Sequence, residues 1–140
     1  MDINWSTDHT KDKLPFSYEI VEVIDSKKVN IKIHLTDKCI NHFGILHGGM
    51  HALIIDEIGM TTFQKILYPN DNYLTSKLTV DYIKPSRNLE LLGEVELTDL
   101  TDTVGKITVT LTSTNGTIRS KGTLEFQVRR KFKMVDKHKL

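Results

Sequence analysis

Apolar and polar residues alternate along most of this chain, the period of half-buried β-strands. Phe16, Tyr18 and Ile20 alternate first; the phase then slips to Val21 and Val23, which predicts a bulge or a strand covered on both faces. After the polar turn Asp25-Ser26-Lys27-Lys28, Val29, Ile31, Ile33 and Leu35 alternate cleanly, so the two runs predict a hairpin. In the second half Leu74, Ser76, Leu78, Val80 and Tyr82 share one face until Pro85 stops the run. Leu89, Leu91, Val95 and Leu97 follow, with Gly93 expected at a bend or bulge, and then Val104, Ile107, Val109 and Leu111. Ser113-Thr114-Asn115-Gly116 carries the Asn-Gly hairpin signal ahead of a last strand, with Ile118, Ser120, Gly122, Leu124, Phe126 and Val128 on one face.

One stretch breaks the alternation. From near Gly48 to about Ile66 or Leu67 the spacing is helical, with Met50, Leu53, Ile54, Ile58 and Phe63 as its apolar positions, and Pro69-Asn70-Asp71-Asn72 ends it. Ala52, Ile55, Gly59 and Met60 leave little polar face, so this helix is expected to be buried. Two strands, one long helix and four strands predict an α+β domain, a curved, largely antiparallel six-stranded sheet wrapped around a central helix. Asp56 and Glu57 are then anomalous, because a buried carboxylate is costly unless it is paired, hydrogen-bonded or functional.

Length and composition narrow the classes. The 140 residues suit one domain with a real core, read as residues 15–128 between an N-terminal arm (1–14, with Trp5 as its apolar landmark) and a basic tail (129–140). The formal net charge of +1 gives no whole-molecule field pointing to nucleic acid. A lone Cys39 excludes an internal disulfide framework and suits a reducing compartment. The polar start has no signal-peptide core and no apolar run reaches membrane-spanning length, so a soluble cytoplasmic protein is expected. His47 and His51 stand four apart, as metal-binding helical histidines do. No Glu follows His47 as in the zinc-protease motif, and Gly48-Gly49 makes a poor rigid helix between ligands, so no metal is expected.

The opening of the helical stretch, Asn41-x2-Gly44-x2-His47-Gly48-Gly49 with Asp56 nine positions after His47, resembles the hotdog-fold acyl-CoA thioesterases. It is similar in particular to the branch with the phenylacetate-pathway and 4-hydroxybenzoyl-CoA enzymes. The element order agrees, and so does Tyr82-x2-Pro85 after the helix. The resemblance implies a homodimer or dimer of dimers, active sites at the subunit interface, and hydrolysis of acyl-CoA without metal or cofactor, coenzyme A being part of the substrate.

On that resemblance Asp56 is the general base or nucleophile, and Gly48 offers helix-start N–H groups to the thioester oxygen, with Gly49 beside it in the substrate site. Glu57 is the rival carboxylate, but as Asp56's neighbour it points about 100° away around the helix. Asn41 sits where an amide binds the thioester or holds water, or is simply a turn residue. His47 is expected to hold the turn by hydrogen bonding. Thr75 sits where a hydroxyl orients water beside the carboxylate, with Ser76 the fallback if the register is off by one. Lys84, Arg87 and the basic tail are candidates for the coenzyme A phosphates. Cys39 is read as a small core residue. Gly48 and Asp56 lie roughly 12 Å apart along one helix, so a carbonyl about 3 Å from both needs two chains with antiparallel helices. The competing reading is a non-catalytic acyl-CoA-binding hotdog module; a hotdog dehydratase or hydratase would want a histidine paired with the carboxylate. Acyl group and carrier, coenzyme A or acyl carrier protein, are not readable.

Overall fold

The computed structural model describes residues 14–67 and 72–129. Trp5 and the tail beyond Arg129 lie outside the described residues, as do residues 68–71. Arg129, expected to open the tail, instead closes the last strand opposite Asn72.

Six strands form one antiparallel sheet in the order β1-β2-β4-β5-β6-β3. They are β1 (Phe16–Asp25), β2 (Lys28–Leu35), β3 (Asn72–Tyr82), β4 (Glu90–Leu100), β5 (Val104–Ser113) and β6 (Ile118–Arg129). Between β2 and β3 in sequence runs the helix α1 (Gly48–Thr62), so β3 crosses over to pair with β6 at the far edge of the sheet. This curved sheet carrying one long helix is the hotdog arrangement.

The pairing follows from the alternation. Val29, Ile31, Ile33, Leu91, Val95, Ile107, Val109, Leu111, Leu124 and Phe126 all turn inward and are buried. Lys28, Lys32, Glu90, Glu94 and Glu96 occupy the opposite face and pair there across the strands. Such exposed pairs are worth at most about 1 kcal/mol each, so the sheet is held by its inner face. Asn115-Gly116 does turn the β5–β6 hairpin, with Gly116 at φ 93°. Asn115 does not share that conformation, so the loop is longer than a two-residue primed turn.

Against this inner face the helix lays His51, Ile54, Ile55, Ile58, Gly59 and Thr62. Each isoleucine so buried stabilises the fold by about 1.5–3 kcal/mol. Two glycines make the close approach possible. A Cβ at Gly93 would lie 2.8 Å from Ile58 Cδ1, and one at Gly122 would lie 2.6 Å from Ile55 Cγ2. Gly93 therefore marks helix contact. It is in regular register opposite Ile31 and Leu111, and the irregularity in β4 falls between Leu97 and Asp99 instead.

The helical run does reach Leu67, as α1 to Thr62 and then a wider π-helical turn, where Phe63 packs against Tyr73 and Phe126. Other expectations need correcting. The helix is not covered all round: Gly49 and Leu53 are exposed, and Met50, Asp56, Glu57 and Met60 are half-buried. The sheet reaches only one side of it. The phase slip in β1 is a bulge between Ile20 and Glu22, which leaves Val21 and Val23 exposed. A second bulge between Thr75 and Lys77 separates Leu74 and Ser76, both exposed, from Leu78 and Val80, which pack on the core. Val104 is exposed as well, because Gly105 takes the inward position beneath the Phe126 ring.

Candidate active site

Asp56 sits two turns into α1, half-buried, on the side of the helix nearest β3. The Thr75 hydroxyl donates a 2.9 Å hydrogen bond to its Oδ1. That contact depends on the β3 bulge, which turns Thr75 toward the helix and Ser76 away from it. Ser76 donates instead to the Glu125 carbonyl on β6, 3.1 Å away, so it has no place beside Asp56.

Glu57 faces the opposite edge of the sheet. Its Oε2 accepts hydrogen bonds from the Tyr18 hydroxyl of β1 at 2.5 Å and from Thr61 at 2.9 Å. Two protein donors on one oxygen give this carboxylate a structural occupation. The 100° offset between neighbours on a helix thus sorts the two carboxylates to different sides.

The loop that feeds the helix is built by its own backbone. Ile40 bridges Leu46, and Asn41 and Ile45 share a 2.8 Å bond inside that bridge. Gly44 turns the loop at φ 76°, a conformation that disfavours any side chain. Asn41 Oδ1 accepts from the Phe43 and Ile45 N–H groups, at 2.9 and 3.1 Å. This is the turn role, and it orients the amide: any dealing with substrate falls to the NH2 end. Arg87 holds the same loop from outside, donating to the Phe43 carbonyl at 3.2 Å. Lys84 is exposed nearby in sequence, its N–H bound to the Arg119 carbonyl.

His47 is the residue before the helix, with φ −57° and ψ 139°. Its backbone makes the bonds that had been expected of its ring. The N–H donates to Cys39 at 3.0 Å, and the carbonyl accepts from Met50 and His51 at 3.0 and 3.2 Å. The extended ψ turns the side chain outward, where it is exposed and makes no capping bond. Cys39 is fully buried beneath the loop.

Gly48 and Gly49 occupy the first turn, where backbone N–H groups have no intrahelical acceptor and carry the positive end of the helix dipole. Neither has a positive φ. A Cβ at Gly48 would make only ordinary contacts with the Tyr82 ring, and one at Gly49 would meet nothing within 4 Å. Turn geometry and packing within this chain therefore do not demand either glycine. What they leave is an exposed, unobstructed pair of N–H donors.

Three residues around this turn take roles that their place in the sequence did not assign them. Tyr82 donates from its hydroxyl to the Gly48 carbonyl at 2.8 Å. His51 and Tyr82 stack T-shaped, with ring centroids 5.4 Å apart, and His51 Nδ1 is 2.7 Å from Ser120 Oγ. Burial lowers the His51 pKa from its ordinary value, because desolvation disfavours the charged ring. His51 and His47 point apart, one buried and one exposed. Among the described residues no three His, Cys, Asp or Glu side chains gather as a metal site would require. The sequence signal for Tyr82 was its spacing from Pro85; the His51–Ser120 contact spans 69 residues and had none.

This fold and this helix start define a hotdog protein of the thioesterase kind. The thioesterase superfamily model matches residues 43–119, more than half of the chain, and the chain belongs to that superfamily. A Haemophilus influenzae thioesterase superposes with a TM-score of 0.76 at 11% identity, covering 93% of each chain. A hypothetical thioesterase from Streptococcus pneumoniae, solved with coenzyme A, gives 0.70 at 20% identity, over 81% of this chain and 88% of that one. A Streptococcus mutans protein bound to acetyl CoA gives 0.70 at 22% identity, over 82% and 92%. At these identities the likeness is one of fold. No curated protein matches the chain.

Proposed function

We propose that this protein hydrolyses acyl-coenzyme A to the free acid and coenzyme A, at a site completed by a second copy of the chain. The observation that carries the reading is that Asp56, with Thr75 on its Oδ1, and the open N–H of Gly48 belong to one unbroken α-helix. Eight residues of helix separate them by roughly 12 Å, while an oxyanion donor and the carboxylate must both reach within about 3 Å of the reacting group. Two antiparallel helices from two copies meet that requirement. The uncovered side of α1, with Gly49, Leu53, Asp56 and Met60, supplies a face for the second helix.

The chemistry then follows. The carboxylate of Asp56 takes a proton from water as its oxygen adds to the thioester carbon, or adds directly to form an anhydride that water opens. The partner's helix-start N–H groups bind the developing oxyanion, and collapse expels the coenzyme A thiolate, which takes up a proton. Superfamily membership supports thioester cleavage. The coenzyme A and acetyl CoA in the two streptococcal structures support the carrier class. Arg87, bonded to the loop at the helix start, and Lys84, exposed three residues before it in sequence, would meet the coenzyme A phosphates. No helix among the described residues is long and apolar enough to cross a membrane, and buried, free Cys39 suits a cytoplasmic setting.

The test is a panel of acyl-CoAs with a free-thiol readout, on wild type and Asp56→Ala. Hydrolysis lost in the variant supports the proposal; an inactive wild type across the panel, or an active variant, overturns it. A mixed dimer of Asp56→Ala and Gly48→Pro chains tests the sharing. One of its two sites keeps both groups, so about half the wild-type activity is expected, and a folded but inactive mixed dimer refutes the shared site.

A further inference from the structure

We propose that Tyr82 is a positioning residue that strengthens the Gly49 N–H as an oxyanion donor, which rests on the thioesterase reading above. The Gly48 carbonyl that accepts the Tyr82 hydroxyl belongs to the same peptide group as the Gly49 N–H. A hydrogen bond at the oxygen of a peptide draws charge through it and makes its N–H a better donor, by something like 10–30%. Helical carbonyls already accept one bond from within the helix. The Gly48 carbonyl therefore carries an additional donor, from a side chain on β3. The preceding peptide is treated alike, since the His47 carbonyl accepts from both Met50 and His51, polarising the Gly48 N–H. Both donors at the helix start are thus backed by a doubly engaged carbonyl.

The arrangement is built to hold Tyr82 in place. Its residue is 57% exposed, so burial alone does not fix the ring. The T-shaped contact with His51 does, at an interplanar angle of 86°, and His51 is itself held by Ser120 from the neighbouring strand. The hydroxyl reaches the carbonyl and leaves Gly49 itself open, with nothing within 4 Å of where a Cβ would stand.

Tyr82→Phe keeps the ring and its contact with His51 and removes only the hydroxyl. If one oxyanion donor is worth about 10²–10³ in rate, losing this share of its strength lowers kcat about two- to eightfold with KM unchanged. In a Gly49→Pro background, where the N–H is gone, Tyr82→Phe has no further effect on kcat. Independently of activity, the Gly49 amide nitrogen resonance moves upfield in Tyr82→Phe. A kcat loss that persists in the Gly49→Pro background, a loss confined to KM, or an unmoved Gly49 resonance overturns the proposal. If wild type cleaves no acyl-CoA, the thioesterase reading fails, and the resonance alone decides whether Tyr82 polarises this peptide.

Discussion

Thr75 and Asp56 come together across 19 positions of sequence, hydroxyl to carboxylate Oδ1, because a bulge in β3 turns Thr75 and not Ser76 toward the helix. A hydrogen bond to a charged group is worth about 1.5–3 kcal/mol. If the bond orients the carboxylate during reaction, Thr75→Val lowers kcat by about 10- to 100-fold with KM little changed. Thr75→Ser restores most of it, and Ser76→Ala changes kcat by less than about twofold. Steady-state kinetics on the best substrate of the acyl-CoA panel checks all three.

The two adjacent carboxylates are expected to separate in function as they do in space. Asp56→Asn lowers kcat by about 10²–10⁴-fold, the usual worth of a positioned acid–base group. Glu57→Gln leaves kcat within about threefold but loses about 1 kcal/mol of stability, because Tyr18 and Thr61 then donate to a neutral amide. Urea denaturation beside the kinetics distinguishes these outcomes; a large kcat loss in Glu57→Gln would reassign the base.

The glycines divide in the same way. Gly93→Ala puts a methyl against Ile58 and Ile33 and destabilises the protein by about 1–3 kcal/mol. Gly49→Ala meets nothing in the chain and replaces a poor helix former, so its thermal stability holds or rises slightly. Its kcat/KM falls nonetheless, since the added methyl stands where the thioester must approach. Thermal melts and kinetics on the two variants test this crossing of effects.

Burial lowers the His51 pKa from its ordinary value, and that has a sign in pH. Well above this ordinary value the ring is neutral folded and unfolded, and its contribution is fully present. As the pH falls through it the unfolded chain binds a proton that the folded one does not, so stability drops until the folded pKa is reached. Comparing urea midpoints at pH 7.5 and 5.5, the loss on acidification is smaller in His51→Gln than in wild type. Equal losses would remove His51 as the cause.

The strand count, the hairpins and the single helix were legible because alternation and helical spacing are local properties of the backbone. So was the motif that led to the superfamily: Asn41, Gly44, His47, Gly48, Gly49 and Asp56 lie within 16 residues. Faces were read less well wherever a bulge intervened. Leu74 and Val104 look like core residues in sequence, and one extra residue in β3 and the Phe126 ring over Gly105 turn them to solvent.

By itself the sequence determined the elements, the place of the carboxylate on the helix, and the distance that keeps Asp56 from Gly48. Those follow from chain geometry that needs no partner strand. Only the tertiary structure decided that Thr75 and not Ser76 meets Asp56, that Glu57 is tied to Tyr18, and that Tyr82 reaches the Gly48 carbonyl with His51 and Ser120 behind it. Each is a contact between residues distant in the chain. Each depends on strand register, which a single bulge resets.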